Sequence, residues 1–196
     1  MKIPKWYYGW NIVLAASIMA LFTAGFRMSF GPFFLPILDD FSMTRTDLSM
    51  IIAVGMFVFG VGMPLAGYLE SRFGPKKVLI LGACIIFASS LWMVLSKDAL
   101  NLLFSFGIFL SIGLALTGQV TLTPILVQWF VRKRGQALFY LSTGSMAGIA
   151  LMNPISNYFV MTFSWKHAIM FFGTSLFILI VLVALFVIRL DVPEGA

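Results

Sequence analysis

The sequence predicts an all-α membrane protein, a six transmembrane helix bundle, on three observations. Six long apolar runs follow one another, over 10–36, 48–69, 78–96, 99–131, 135–165 and 168–188. Each is long enough for a helix across a bilayer core, which takes about 20 residues. The composition, 61% hydrophobic and 10% charged over 196 residues, excludes an ordinary soluble domain. Basic residues recur in alternate connections: Lys2 and Lys5 before the first run, Arg72, Lys76 and Lys77 after the second, Arg132, Lys133 and Arg134 after the fourth, and Arg189 after the sixth. The other connections hold most of the acids, Asp39, Asp40, Asp47 and Asp98. This is the positive-inside pattern. It places both termini in the cytoplasm, and an even number of crossings follows. The formal charge of +6 is therefore read as a membrane signal, with no nucleic acid as partner.

Hydrocarbon offers backbone N–H and C=O groups no partners, so each crossing is expected to be helical. The expected helices run approximately over 10–36, 46–70, 77–96, 99–131, 135–160 and 165–189, and leave no room for a separate domain within 1–196. The first run is too long for a signal-peptide core and lacks a small-residue cleavage site, so it is read as a retained helix. Trp6, Tyr7, Tyr8 and Trp10 suit an interfacial belt at its start, and Pro36 is expected to stop it. Thr44 with Asp47 reads as a capping box opening the second helix. Ser96 or Asp98 is expected to cap the fourth, and Ser164 the sixth. Pro64, Pro124 and Pro154 are candidate kinks. Cys84 stands alone, which excludes an internal disulfide and suggests a packing role.

Small residues recur at four-residue steps, in Gly107/Ser111/Ala115 and Gly144/Gly148. Such spacing lets membrane helices approach closely. The runs divide as three plus three, with the halves starting on opposite sides. A long helix with polar residues heads each half: Thr23, Arg27 and Ser29 in the first, Thr117, Gln119, Thr121 and Thr123 in the fourth. Inverted triplets of this kind recur in secondary transporters.

Arg27 is the only charged residue inside the runs. It lies about 17 residues past Trp10, or about 25 Å of helix rise, which puts it inside the outer half of the membrane. An isolated cation there marks a functional site by default, and a guanidinium can hold a carboxylate bidentately. Snorkelling toward the outer headgroups is the structural alternative. Gln119 and Thr123 on the fourth helix, with Asn153 on the fifth, are candidates to complete a substrate site; for each singly, interhelical hydrogen bonding is the commoner role.

The connection between the second and third runs contains Gly67, Glu70, Arg72, Gly74, Lys76 and Lys77. It resembles the signature loop of the major facilitator superfamily, Gly-x-x-x-Asp-Arg-x-Gly-x-Arg-Arg. The sequence departs from that pattern at the acid: Ser71 stands at the acid position and Glu70 one residue before it. In the family the acid belongs to a cytoplasmic gate against the other half of the transporter. The stretch from Trp129 and Phe130 through Arg132, Lys133, Arg134, Gly135 and Ala137, followed by Ser142, Gly144 and Gly148, is similar to the monocarboxylate and oxalate–formate branch, except that Phe139 replaces a usual glycine. Tyr8-Gly9-Trp10, the segment Gly25 to Gly31 around Arg27, and Trp165-Lys166-His167-Ala168 also resemble bacterial members of that branch.

The resemblance implies one six-helix half of a major facilitator fold in a bacterial cytoplasmic membrane. The implied function is secondary active transport of small organic anions such as monocarboxylates by alternating access. A second six-helix half, on a separate chain or beyond Ala196, is the implied partner. The alternative expectation is a truncated or split membrane fragment that does not transport without one. No Gly-x-x-x-x-Gly-Lys loop suggests ATP-driven transport, no carboxylate lies in the apolar runs, and a single histidine, His167, excludes a His-rich metal site. No cofactor, metal or enzymatic activity is expected. An intramembrane serine protease built on Ser145 and His167 would need both within hydrogen-bond reach, about 3 Å, whereas the runs put them toward opposite membrane faces.

Overall fold

In the computed structural model, residues 9–130 and 133–187 are described, and their regular structure is entirely helical. The order is α1 (Gly9–Met28), α2 (Gly31–Phe41), α3 (Arg45–Phe73), α4 (Pro75–Leu95), α5 (Ala99–Leu102), a π-helical segment (Leu103–Leu110), α6 (Ser111–Leu116), α7 (Gln119–Trp129), α8 (Arg134–Thr162), α9 (Trp165–Leu182) and a second π turn (Val183–Val187). Lys2, Lys5, Trp6, Tyr7, Tyr8, Arg132 and Arg189 lie outside the described residues.

Five helical stretches are long and apolar enough to cross a membrane: Gly9–Met28, Arg45–Phe73, Pro75–Leu95, Ala99–Trp129 and Trp165–Phe186. The sixth expected crossing, α8, has the length at 29 residues but is diluted by Ser142, Thr143, Ser145, Asn153, Ser156 and Asn157. Its packing shows its course. Gly144 faces Ser17, Gly148 faces Leu21, and Met152 faces Gly25, so α8 runs parallel to α1. At Gly148 an added Cβ would overlap the Leu21 carbonyl, and at Gly144 it would stand 2.6 Å from the Ser17 carbonyl oxygen. Backbone meets backbone along this seam, the close approach that small residues allow. The second and fourth crossings are parallel in the same way: Gly55 meets Gly107 and Ser111, and Gly62 meets Ala115. Gly82 on α4 abuts Gly113, Leu116 and Thr117, and Gly173 on α9 abuts Ser90 on α4.

The helices that head the two halves are each interrupted, which the runs did not foretell. The first breaks at Ser29 and Phe30, between α1 and α2. Pro32 explains the position, because it cannot donate to the Met28 carbonyl and its ring crowds that group. Pro36 does not end the helix as expected; it lies inside α2, which runs on to Phe41. The fourth breaks at Thr117 and Gly118, before α7, with Pro124 inside α7. Both second pieces have 11 residues with a proline at the sixth position. The two halves thus repeat one design, a long helix, a two-residue break and a short proline-bearing helix. Pro64 and Pro154 lie within the unbroken α3 and α8. Near the second break the Leu116 carbonyl accepts from Thr121 Oγ1 at 2.7 Å, and Thr117 Oγ1 adds a bond at 3.1 Å to the Gly113 carbonyl, which also holds the Thr117 N–H at 3.2 Å. Such local repair is what irregular backbone needs at membrane depth.

The Thr44–Asp47 capping box forms in both directions: Asp47 N donates to Thr44 Oγ1 at 3.2 Å, and Thr44 N to Asp47 Oδ2 at 3.1 Å. The other expected caps do not. Asp98 precedes α5 without a side-chain bond to the helix backbone and instead accepts from Asn101 Nδ2 at 3.4 Å; Ser164 likewise makes no cap bond, and Ser96 Oγ donates back to the Trp92 carbonyl. Trp10 packs edge-on against Phe130 and Tyr140, with centroids 5.3 and 5.8 Å away. Cys84 is exposed on α4, so it does not pack in the core as expected; its helix buries the neighbouring Gly82, Ala83 and Ile86 instead. Asp40 on α2 joins the start of α9: Lys166 Nζ lies 2.8 Å from its Oδ2, and Trp165 Nε1 donates to the same oxygen at 3.2 Å.

Candidate functional site

Two cavities meet at Arg27. One, of 410 Å³, lies among α1, α3, α6–α7 and α8, and its lining includes Thr23, Arg27, Phe59, Gln119, Ser142 and Ser145. The other, of 490 Å³, opens toward α2 and the π-helical segment and is walled mainly by phenylalanine and methionine. Arg27, Phe59 and Leu114 belong to both. Both volumes fall in the range of ligand pockets, about 300–1,000 Å³.

The first helix break sets the position of Arg27, which occupies the last turn of α1. The carbonyl end of a helix favours a cation. Its guanidinium lies 4.1 Å from the centroid of the Phe59 ring, a cation–π contact, and among the described residues it has no acid partner. Phe59 comes from α3, on the stripe that also presents Gly55, Gly62 and Ala66 inward.

The second break brings the opposite pole. Gly118 caps α7 with no side-chain bond, and Gly118, Gln119 and Val120 line the 410 Å³ cavity. The first N–H groups of a helix have no partner within it, and such an end attracts anions. Gln119 Nε2 donates to Ser145 Oγ at 2.6 Å, tying α7 to α8. Ser145 in turn donates to the Leu141 carbonyl at 3.3 Å. Thr23 Oγ1 is turned back to the Met19 carbonyl at 2.8 Å.

Of the expected substrate residues, Arg27 and Gln119 share this cavity. Thr123 and Asn153 line neither cavity. Thr123 Oγ1 donates to the Gln119 carbonyl at 2.7 Å on an exposed surface. Asn153 is exposed one turn past Ile149, on the same side of α8 as the cavity-lining Met146 and Ile149. Phe59 and Ser145 escaped sequence reasoning as partners in this site. The i, i+4, i+7 stripe through Gly55, Phe59 and Gly62 was the available signal for the first; for Ser145 there was none beyond its place between Gly144 and Gly148. Ser145 and His167 do not meet: Ser145 lies about 17 residues, roughly 25 Å of rise, before the end of α8, and His167 Nδ1 faces Ser164 Oγ at 3.4 Å on the surface.

The signature-like loop closes in a single residue. Gly74 has φ +83° between α3 and α4 and donates its N–H to the Glu70 carbonyl at 2.8 Å; glycine suits that left-handed conformation. Arg72 Nη1 donates to Tyr68 Oη at 3.2 Å, and Ser71 Oγ to the Tyr68 carbonyl at 2.8 Å. A Cβ on Gly67 would lie 3.8 Å from Val120, ordinary contact, so space there does not require glycine. Lys76 and Lys77 fall in the first turn of α4.

A family model described as Major Facilitator Superfamily matches residues 16–196. Human monocarboxylate transporter 7 is 26% identical over 172 residues, covering 88% of this chain and 33% of that protein. An uncharacterised MFS-type transporter of Bacillus subtilis strain 168, YcxA, is 30% identical over 146 residues, covering 74% of this chain and 36% of that protein. The chain thus spans about a third of the length of these curated relatives. Among solved structures, FucP in its outward conformation superposes with a TM-score of 0.75 at 16% identity, over 92% of this chain and 42% of that one. The proton:xylose symporter XylE does so with the same score and identity, over 92% and 44%.

Proposed function

Because the chain belongs to the Major Facilitator Superfamily, an integral multi-pass membrane family, we propose that it forms one wall of a secondary transporter for small organic anions, monocarboxylates first among them. Arg27 carries this reading: it is the sole cation within the apolar runs, it lines a 410 Å³ cavity, and it has no acid partner among the described residues. A carboxylate between its guanidinium and the N-terminus of α7 would meet two electropositive groups on two helices. Gln119, held by Ser145, orients the polar side of the same space. The names of the monocarboxylate-transporter relatives support the substrate class.

The second six-helix half would cover the side on which the cavities open. Its seat is the exposed flank of α3 and α8, where Met56, Phe57, Met146 and Tyr158 stand out from the bundle. Rocking of two such halves about a midplane site gives alternating access. The Glu70–Lys77 connection then faces the cytoplasm, where the family places its gate.

The test is carboxylate uptake by the full-length transporter in liposomes. Arg27→Ala should weaken apparent affinity by about 10- to 100-fold, the scale of a lost charge-assisted hydrogen bond at roughly 1.5–3 kcal/mol. Arg27→Lys should recover only part, since an ammonium lacks the planar fork. Uptake and affinity unaltered by Arg27→Ala would remove Arg27 from the site.

A further inference from the structure

Arg27 stands at the mouth of a second space of very different character. Six phenylalanines, Phe26, Phe30, Phe33, Phe34, Phe59 and Phe106, line the 490 Å³ cavity, and Arg27 is the only charged residue among its walls. Their rings are mutually ordered. Phe30 stacks on Phe106 with centroids 4.2 Å apart and on Phe33 at 5.9 Å. Phe106 reaches this position from the π-helical segment, and its carbonyl accepts from Ser111 Oγ at 3.3 Å. Such segments gather at functional sites. Phe30 reaches it from the break that follows Arg27.

We propose that the phenylalanine cavity is a side-chain subsite, and that the ligand of Arg27 is a monocarboxylate with a large apolar or aromatic tail, for which phenylpyruvate serves as the probe. The inference rests on the reading of Arg27 as the carboxylate site. Two observations go beyond that reading. The space beside Arg27 is far larger than a three-carbon acid fills, and it offers an acid's tail aromatic faces and thioethers with almost no hydrogen-bonding group. A lactate- or pyruvate-sized anion would leave it unfilled. A dicarboxylate would force its second charge against phenylalanine, where nothing compensates desolvation. An aromatic tail gains ring–ring contacts of the kind already formed there.

The experiment measures displacement of radiolabelled phenylpyruvate from the purified full-length transporter, using pyruvate, 2-oxobutyrate, 2-oxopentanoate and 2-oxohexanoate as competitors. Competition should strengthen along the straight-chain series by about fourfold per methylene, the equivalent of about 0.8 kcal/mol each, and phenylpyruvate should bind at least tenfold more tightly than pyruvate. Phe106→Ala should weaken phenylpyruvate about tenfold and leave pyruvate unchanged. Leu35→Gln, at an exposed position lining the same cavity, gives the same split without opening the core and serves if Phe106→Ala does not fold. Arg27→Ala should weaken every competitor alike. Equal binding of pyruvate and phenylpyruvate, both sensitive to Arg27→Ala, would overturn the tail subsite while sparing the carboxylate site. Competition that follows chain length but ignores Arg27→Ala would mean an apolar groove open to lipid, and would overturn the proposal. Indifference of all binding to Arg27→Ala and to both cavity variants would overturn both readings.

Discussion

Glycines decide more of this structure than any charged residue except Arg27. Gly148 and Gly144 admit the Leu21 and Ser17 carbonyls into space that a side chain would occupy. Gly60, five residues from Gly55 on α3, meets nothing within 4 Å of an added Cβ. The pair makes a controlled prediction. Gly148→Leu should destabilise by about 3 kcal/mol or more, because overpacking against backbone has no side chain to yield, whereas Gly60→Ala should be neutral or slightly stabilising. Thermal unfolding in detergent, followed by size-exclusion chromatography, separates them. Gly74 is a third kind of case: at φ +83° and ψ 154°, a conformation essentially confined to glycine, Gly74→Ala should cost about 1–3 kcal/mol without touching any neighbour, since nothing lies within 4 Å. At this scale the sequence was informative where a residue's chemistry is local. The Thr44–Asp47 box and the Gly74 turn were legible because both ends of each interaction lie within a few residues. Asn153 and Thr123 were not assignable, because a polar side chain on a membrane helix serves a substrate or a neighbour according to a rotation the sequence does not encode.

Among the elements, the interrupted helices matter most. The apolar runs revealed where helices lie but not where they break, since Pro32 and Pro36 are equally visible and only one of them acts as a stop. The distinction is physical. Pro32 falls where α2 begins, a position that tolerates a missing N–H, and the disruption is displaced onto the preceding turn; Pro36, one turn later, is absorbed within α2. Pro32→Ala should therefore let the first helix run through Ser29 and Phe30, swing Phe30 away from Phe106, and shorten the distance between spin labels at Ala24 and Leu35 measured by double electron–electron resonance. Pro36→Ala should leave that distance unchanged. The clasp of α2 onto α9 is a weaker element. Lys166 and Asp40 are 38% and 44% exposed, so their ion pair contributes at most about 1 kcal/mol. Asp40→Asn should lower the unfolding temperature only slightly, and Asp40→Ala somewhat more, because it also removes the acceptor for Trp165 Nε1.

For the molecule as a whole, the parallel pairing of α1 with α8 and of α3 with α5–α7 determines the arrangement, and neither pairing joins neighbours in sequence. The six runs and their alternating charge were sufficient for the fold class, because hydropathy and the placement of Arg72, Lys76, Lys77, Lys133 and Arg134 are properties of composition. Which helices touch depends on small-residue seams, and the seams were visible only as separate four-residue steps on separate runs. The topology makes its own prediction. In cells, single cysteines at Lys77 and Lys133 in a Cys84→Ser background should resist an impermeant maleimide added outside, while cysteines at Met43 and Lys97 should react. Reversal of that pattern, or equal labelling of all four, would refute the orientation.

The α1–α8 seam has a mechanical consequence. Two helices whose main chains touch over two turns have no interposed side chains to change rotamer and no slack to take up. They cannot slide or part by small steps. Arg27 rides on one of them, and Ser145, which holds Gln119, on the other, so the span between charge and amide is fixed like two teeth of one key. Any rigid-body motion of the bundle must turn that key entire, so the two groups keep their spacing throughout it.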